Sequence, residues 1–140
     1  MCCAREAGSA RPCGVRRAAN PWLTSVGMAA MMHGLVQGGP PVGPGGPLSL
    51  HDPVDLEKRA RNAGFSDVSV EVVDFVRPYE SSDKHFDMVT ALAPPIAAAM
   101  RRATPEQSAA VRQTVADLVS QYRNGDALEL PGQALVLVAS

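Results

Sequence analysis

From residue 68 to residue 72 the chain alternates valine with polar residues, Val68-Ser69-Val70-Glu71-Val72. A period of two reads as a strand, about Asp67–Val76. The alternation slips at Val72-Val73, which turns Val73 and Phe75 away from Val68 and Val70. A bulge, or a strand buried on both faces, accommodates that slip. Arg77-Pro78-Tyr79 ends the strand. A helix precedes it, about Pro53–Ala63, with Asp52 as its cap, proline in its first turn and a narrow inward stripe of Leu56, Ala60 and Ala63. Gly64 supplies the left-handed residue that stops this helix, and Phe65 leads into the strand.

After the strand the period changes to that of helices. Ser81-Ser82-Asp83 caps a helix over about Asp83–Ala91, with Phe86, Val89 and Leu92 along one side. Pro94-Pro95 interrupts the path and starts a short helix through Ile96 and Met100. Thr104-Pro105-Glu106-Gln107 is a capping box with proline in first position. It opens a helix to about Tyr122 whose apolar face is Val111, Val115, Leu118, Val119 and Tyr122. Asn124-Gly125 closes it. Leu128-Glu129-Leu130 is a short extended piece, Pro131-Gly132 a turn, and Gln133–Ala139 a last strand apolar on both sides. Near the start, Asn20 caps a short helix with Pro21 at its first position; Met28, Met31, Met32 and Leu35 recur at helical spacing. Such methionines fill a core or line a pocket for an apolar ligand.

Composition changes this picture little. The chain has 140 residues, 46% hydrophobic and 19% charged, which suits one folded domain. A net charge of −1 gives no general field for nucleic acid or acidic lipid. No run is long enough to span a membrane, and the arginine-bearing start lacks the apolar core of a signal peptide, so a soluble cytoplasmic protein is expected. Cys2, Cys3 and Cys13 fit neither a disulfide framework nor a zinc motif. Residues 1–19 show no apolar period and read as a disordered or unrelated tail. Residues 37–47 are a Pro/Gly loop; Gly43-Pro44-Gly45-Gly46 has no strand before it and too few N–H groups to cradle a phosphate.

The search for catalytic groups is negative. His33, His51 and His85 are far apart in sequence, and none has a metal-type partner at helical spacing. Glu71 and Asp74 fall on opposite sides of the strand unless a bulge realigns them. Asp83, His85 and Asp87 would suit a metal on a strand but scatter round a helix. No serine sits in a nucleophile elbow.

Taken in order, the features are Asn20-Pro21-Trp22, a methionine-rich segment, a Pro/Gly loop, Leu48-Ser49-Leu50 before Asp52-Pro53, and Ala63-Gly64-Phe65. A valine-rich strand, a helical insertion, Arg123-Asn124-Gly125 and an apolar last strand follow. This series resembles the C-terminal part of a class I S-adenosylmethionine-dependent methyltransferase. It is most similar to the small-molecule enzymes related to those of ubiquinone and menaquinone biosynthesis, over about Asn20–Ser140.

The resemblance implies an α/β fold, the C-terminal fragment of a Rossmann-like methyltransferase sheet. Its two main strands, residues 67–76 and 133–139, would be antiparallel, and residues 81–123 between them would form a helical insertion covering the acceptor. Trp22, Met28, Met31, Phe86 and Met88 are then candidates for an apolar acceptor pocket, or packing residues. The parent family binds S-adenosylmethionine with a strand, a glycine-rich turn and a helix near its N-terminus. That pattern is missing here, so a truncated, split or misplaced start is expected. The cofactor is not expected to bind this chain alone, and no catalytic base can be named. The expected partners are a small-molecule acceptor and either a second copy or a complementing N-terminal half. The alternative is a non-catalytic interaction or ligand-binding module acting through the helical insertion.

Overall fold

The computed structural model describes residues 17–37 and 46–140. The three cysteines, residues 1–16 of the expected tail and residues 38–45 of the Pro/Gly loop lie outside the described residues. The elements run α1 (Pro21–Met32), α2 (Pro53–Asn62), β1 (Val68–Tyr79), α3 (Ser82–Leu92), α4 (Pro94–Arg102), α5 (Pro105–Leu118), β2 (Arg123–Asn124) and β3 (Ala127–Ala139). Short 3-10 turns occupy Arg17–Ala19 and Ser120–Tyr122. The fold is mixed α/β, with a small antiparallel sheet in the order β1-β3-β2.

The local signals that punctuate α2, α3 and α5 are realised as hydrogen bonds. Asp52 accepts from the Val54 N–H at 2.9 Å, and Ser81 from the Lys84 N–H at 3.2 Å. Thr104 and Gln107 bond reciprocally at 3.2 and 2.9 Å, completing the capping box that starts α5. Gly64 follows α2 with φ +104°, a conformation that L side chains avoid. The guanidinium of Arg61 then ties α2 to the entry of β1, donating to the carbonyls of Ser66 (3.0 Å) and Val68 (3.4 Å).

The two long strands extend past the boundaries that the sequence suggests. Val68 through Tyr79 pair with Ala139 through Leu128 in one unbroken register. There is no bulge at Val72-Val73. Asp67 and Ser140 exchange both backbone hydrogen bonds just beyond the ladder, at 2.9 and 3.3 Å. In an antiparallel pair such exchanges alternate with pairs that turn outward. Odd residues of β1 and even residues of β3 therefore face each other, and Pro78 and Pro131 both fall in the outward set. Neither proline removes a ladder bond, so Arg77-Pro78-Tyr79 does not end β1 and Pro131-Gly132 is not a turn. Asn124-Gly125 does not close a helix either. The α5 helix stops at Leu118, and Gly125, at φ +64°, lies in the tight turn between β2 and β3.

Two clusters hold the layers together. Val26 and Ala29 of α1, Phe86 and Val89 of α3, Ile96 of α4, and Val111 and Val115 of α5 form a helical core. Val119, Leu128 and Leu130 form a second cluster, with Trp22, Tyr79 and Tyr122 packed on it, and join the helices to the sheet. α2 lies against β1 and β3, on the side where Val68 is buried, whereas on the face of Leu128 and Leu130 the helical core covers only the end nearest residues 128–132. At the other end of that face Val73, Val136 and Val138 are 41%, 45% and 64% exposed. The strand is thus not buried on both faces, which removes the second explanation of the Val72-Val73 slip.

Candidate functional site

The densest polar and aromatic chemistry lies where α1, α3, β1 and β3 meet. Asn20, at the cap position of α1, is 1% exposed, yet its side chain makes no cap bond to that helix. Its Oδ1 accepts instead from the Gln133 N–H of β3 at 2.9 Å and from the indole N–H of Trp22 at 3.1 Å. The expected cap is therefore a cross-link between helix and sheet. It is possible because Gln133 is in the outward set of β3, so its N–H is free to meet a side chain.

Trp22 packs edge-on against Phe75, with ring centroids 5.9 Å apart. Phe75 pairs with Gly132 across the ladder. A Cβ on Gly132 would overlap the Phe75 ring and lie 2.7 Å from Trp22 Nε1, so the two aromatic rings require glycine there. The Arg77 guanidinium sits 5.4 Å from the Trp22 ring centroid and 5.9 Å from that of Tyr79.

His85 projects from α3 into this junction and is fully buried. Its Nε2 lies 2.7 Å from the Trp22 carbonyl, an acceptor, so Nε2 carries the proton and Nδ1 is left with its lone pair. Nδ1 and the nearby Tyr79 hydroxyl have no hydrogen-bond partner among the described residues, and the two rings are 4.9 Å apart. Burial pushes the His85 pKa below the usual imidazole value, against the Trp22 carbonyl, which favours the charged form. Burial likewise raises the Tyr79 pKa, while the Arg77 charge opposes it. The junction therefore holds a neutral imidazole and a neutral phenol.

The five candidate pocket residues are dispersed. Trp22 belongs to the cluster just described. Phe86 is 3% exposed in the helical core, with the Arg112 guanidinium 4.2 Å from its ring centroid. Met88 touches the Arg77 guanidinium, its Sδ 4.0 Å from one nitrogen. Met31 is exposed. Met28 lines an open cleft of about 230 Å³ between α1 and the end of α5, with Pro21, Thr24, Ser25, Leu118 and Tyr122 among its walls. The buried Ser25 hydroxyl has no partner among the described residues. The other four candidates do not line this cleft.

Asp83 and Asp87 share one face of α3 and both accept from Arg112, at 2.9 and 2.6 Å, while His85 points to the opposite, buried side. That arrangement takes both carboxylates away from a metal role, and no group of three metal-ligating side chains occurs among the described residues. His33 meets Thr114 at 2.7 Å and His51 meets the Leu48 carbonyl at 2.9 Å. Asp74 accepts from the Gln133 side chain at 2.8 Å. Sequence reasoning read Asn20 as a cap, Tyr79 as a strand end, Gly132 as a turn residue and Gln133 only as a strand start, and so missed their roles at this junction. No local signal places Gly132 or Gln133, because the outward set is fixed by the partner strand.

Comparison with protein-family models, with curated proteins and with solved structures gives no match. No described helix is long and apolar enough to cross a membrane.

Proposed function

We propose that this chain is the acceptor-side half of a methyltransferase of the class I S-adenosylmethionine-dependent type, and that it works with a separate cofactor-binding half. The observation that carries this reading is the order and direction of the elements. A helix closed by Gly64 leads into β1; three helices follow; β3 returns antiparallel to β1 in unbroken register. The parent family's last two strands and its helical insertion have that order.

The described residues do not fit the cofactor. S-adenosylmethionine needs a glycine turn between a strand and a helix start. The positive-φ glycines here are Gly34 after α1, Gly64 after α2, and Gly125 in the β2–β3 turn. The chain's task is then to bind and orient a small apolar acceptor and to keep water from it. For methyl transfer that task carries most of the protein's contribution, because positioning matters more than a strong base. Met28 and the cleft between α1 and α5 are the natural acceptor contact, with Trp22 and Met88 nearer the sheet; Met31 and Phe86 belong to the same helical cover. The setting is cytoplasmic in this reading.

A second reading is a non-catalytic interaction module. The exposed Val73, Val136 and Val138 on a sheet whose β3 strand is unpaired beyond Gln133 on one side among the described residues favour it. The coding sequence upstream of the Asn20 codon separates the two. An in-frame strand followed by a glycine-rich turn is expected, either joined to this chain or as an adjacent reading frame. Its absence would leave the interaction module as the better account.

A further inference from the structure

The chain has three asparagines, and the structure sorts them by the residue that follows each. An asparagine side chain loses ammonia when the backbone nitrogen of the next residue attacks its Cγ. That nitrogen must carry a proton to give up and must be free to turn toward the side chain. Asn20 is followed by Pro21, which has no N–H, so the route is closed there. Asn62 is followed by Ala63, whose N–H is held at the end of α2 by the carbonyls of Arg59 and Ala60, at 3.0 and 3.1 Å. Asn124 is followed by Gly125, the first residue of the two-residue turn between β2 and β3. The Gly125 N–H has no acceptor among the described residues. Residues 123–126 are all exposed, and nothing lies within 4 Å of where a Cβ on Gly125 would sit.

We propose that Asn124 is a self-modifying site, which converts to aspartate and isoaspartate in the folded chain and so opens the β2–β3 turn. The Gly125 nitrogen bonds to Asn124 Cγ and gives its proton to water. Nδ2 takes up a proton and leaves as ammonia. The five-membered imide that remains takes up one water, which breaks one of its two ring C–N bonds. Breaking the bond to Cγ leaves aspartate; breaking the bond to the main-chain carbon leaves isoaspartate. Water is the only co-reactant, and attack within one chain makes the step effectively unimolecular.

The geometry favours Asn124 over Asn62. Glycine sets no Cβ beside the attacking nitrogen. Freeing the Ala63 N–H must first break its bonding to α2, which slows that site by roughly tenfold. The bond from Asn124 Nδ2 to Glu129 Oε1 is 3.3 Å long and exposed, so water replaces it easily. Conversion then sets a carboxylate where Glu129 had a donor. Isoaspartate also adds a methylene to the backbone at Asn124, whose pairing with Ala127 closes the turn. β2 is two residues long and pairs only with β3 among the described residues, so it has no other hold on the sheet. Tyr122, just before β2, packs on the second cluster and forms a wall of the cleft, which places the change beside that cleft. This inference does not depend on the methyl-transfer reading.

The test is peptide mapping by mass spectrometry on the full chain, aged in mildly alkaline buffer with and without urea. Hydrogen exchange on the aged folded chain then reads the turn. In the folded chain Asn124 is expected to convert at least about tenfold faster than Asn62, with ammonia released and both products present. Asn124→Gln, whose side chain is one carbon too long for the five-membered ring, should abolish the conversion at that position. The aged chain should lose protection at the Ala127 N–H, while Leu130 and Gly132, which face β1 in the ladder, keep theirs. Conversion of Asn124 only in urea, conversion of Asn62 as fast as Asn124, or an aged chain with Ala127 still protected overturns the proposal.

Discussion

Asn20 offers a test in which two physical roles give different numbers. Read as an ordinary helix cap, it should tolerate serine and lose about 1 kcal/mol on change to alanine. The geometry says otherwise. Its side chain makes no cap bond to α1, and its Oδ1 holds the Gln133 N–H and the Trp22 indole N–H, both in part-buried bonds. Removing that acceptor strands two donors, and each buried donor left unpaired costs about 1–3 kcal/mol. Asn20→Ala is therefore expected to cost about 2–4 kcal/mol in total, allowing for partial access of water to both donors. Asn20→Ser should cost nearly as much, because a serine hydroxyl is too short to span from α1 to β3. Urea unfolding followed by Trp22 fluorescence measures this directly. With a slope of about 2 kcal/mol/M, the midpoint should fall by about 1–2 M in both variants. A serine variant within about 0.5 kcal/mol of wild type, beside an alanine variant near 1 kcal/mol, would refute the cross-link and restore the cap.

Further expectations follow from burial and titration. His85 is buried with its pKa lowered, so the unfolded chain binds its proton more readily than the folded one. Its contribution is fully present above the ordinary imidazole value of 6.5 and is lost as pH falls through that value toward the lower folded pKa. Unfolding free energies measured across that range should drop with acid, and His85→Gln should flatten the drop; equal slopes in both proteins would contradict this. Phe86→Ala is expected to cost about 3–5 kcal/mol as a core truncation. Met31→Ala, at an exposed site, should stay within about 0.5 kcal/mol. Thermal melts of the pair separate a packing role for Phe86 from a role in a preformed pocket, where its loss would leave the melting temperature nearly unchanged.

Much of the fold was legible because its signals are local. Asp52, Ser81 and the Thr104–Gln107 box each act within three residues of themselves, so the starts of α2, α3 and α5 follow from sequence. The antiparallel relation of the two long strands came from resemblance and agrees with the ladder. The strand ends did not follow, because proline is tolerated only where its missing N–H faces outward. That parity is set by the partner strand and not by the neighbours in sequence. Gly132 illustrates the same limit. It reads as a turn residue beside Pro131, but its job is to leave room for Phe75 and Trp22, which come from other parts of the chain. The candidate pocket was read from residue type alone. Methionine and phenylalanine at helical spacing say that a face is apolar, not whether it turns to a core, a cleft or the surface. Phe86, Met28 and Met31 take those three destinations respectively.

The central proposal is that this chain carries the acceptor side of a methyltransferase sheet while another polypeptide carries the cofactor side. Calorimetric titration with S-adenosylmethionine, of this chain alone and then mixed with the proposed cofactor-binding half, tests it most directly. The account predicts no saturable heat for the chain alone and one-to-one binding for the mixture. Saturable binding by the chain alone, or none by the mixture, would contradict it.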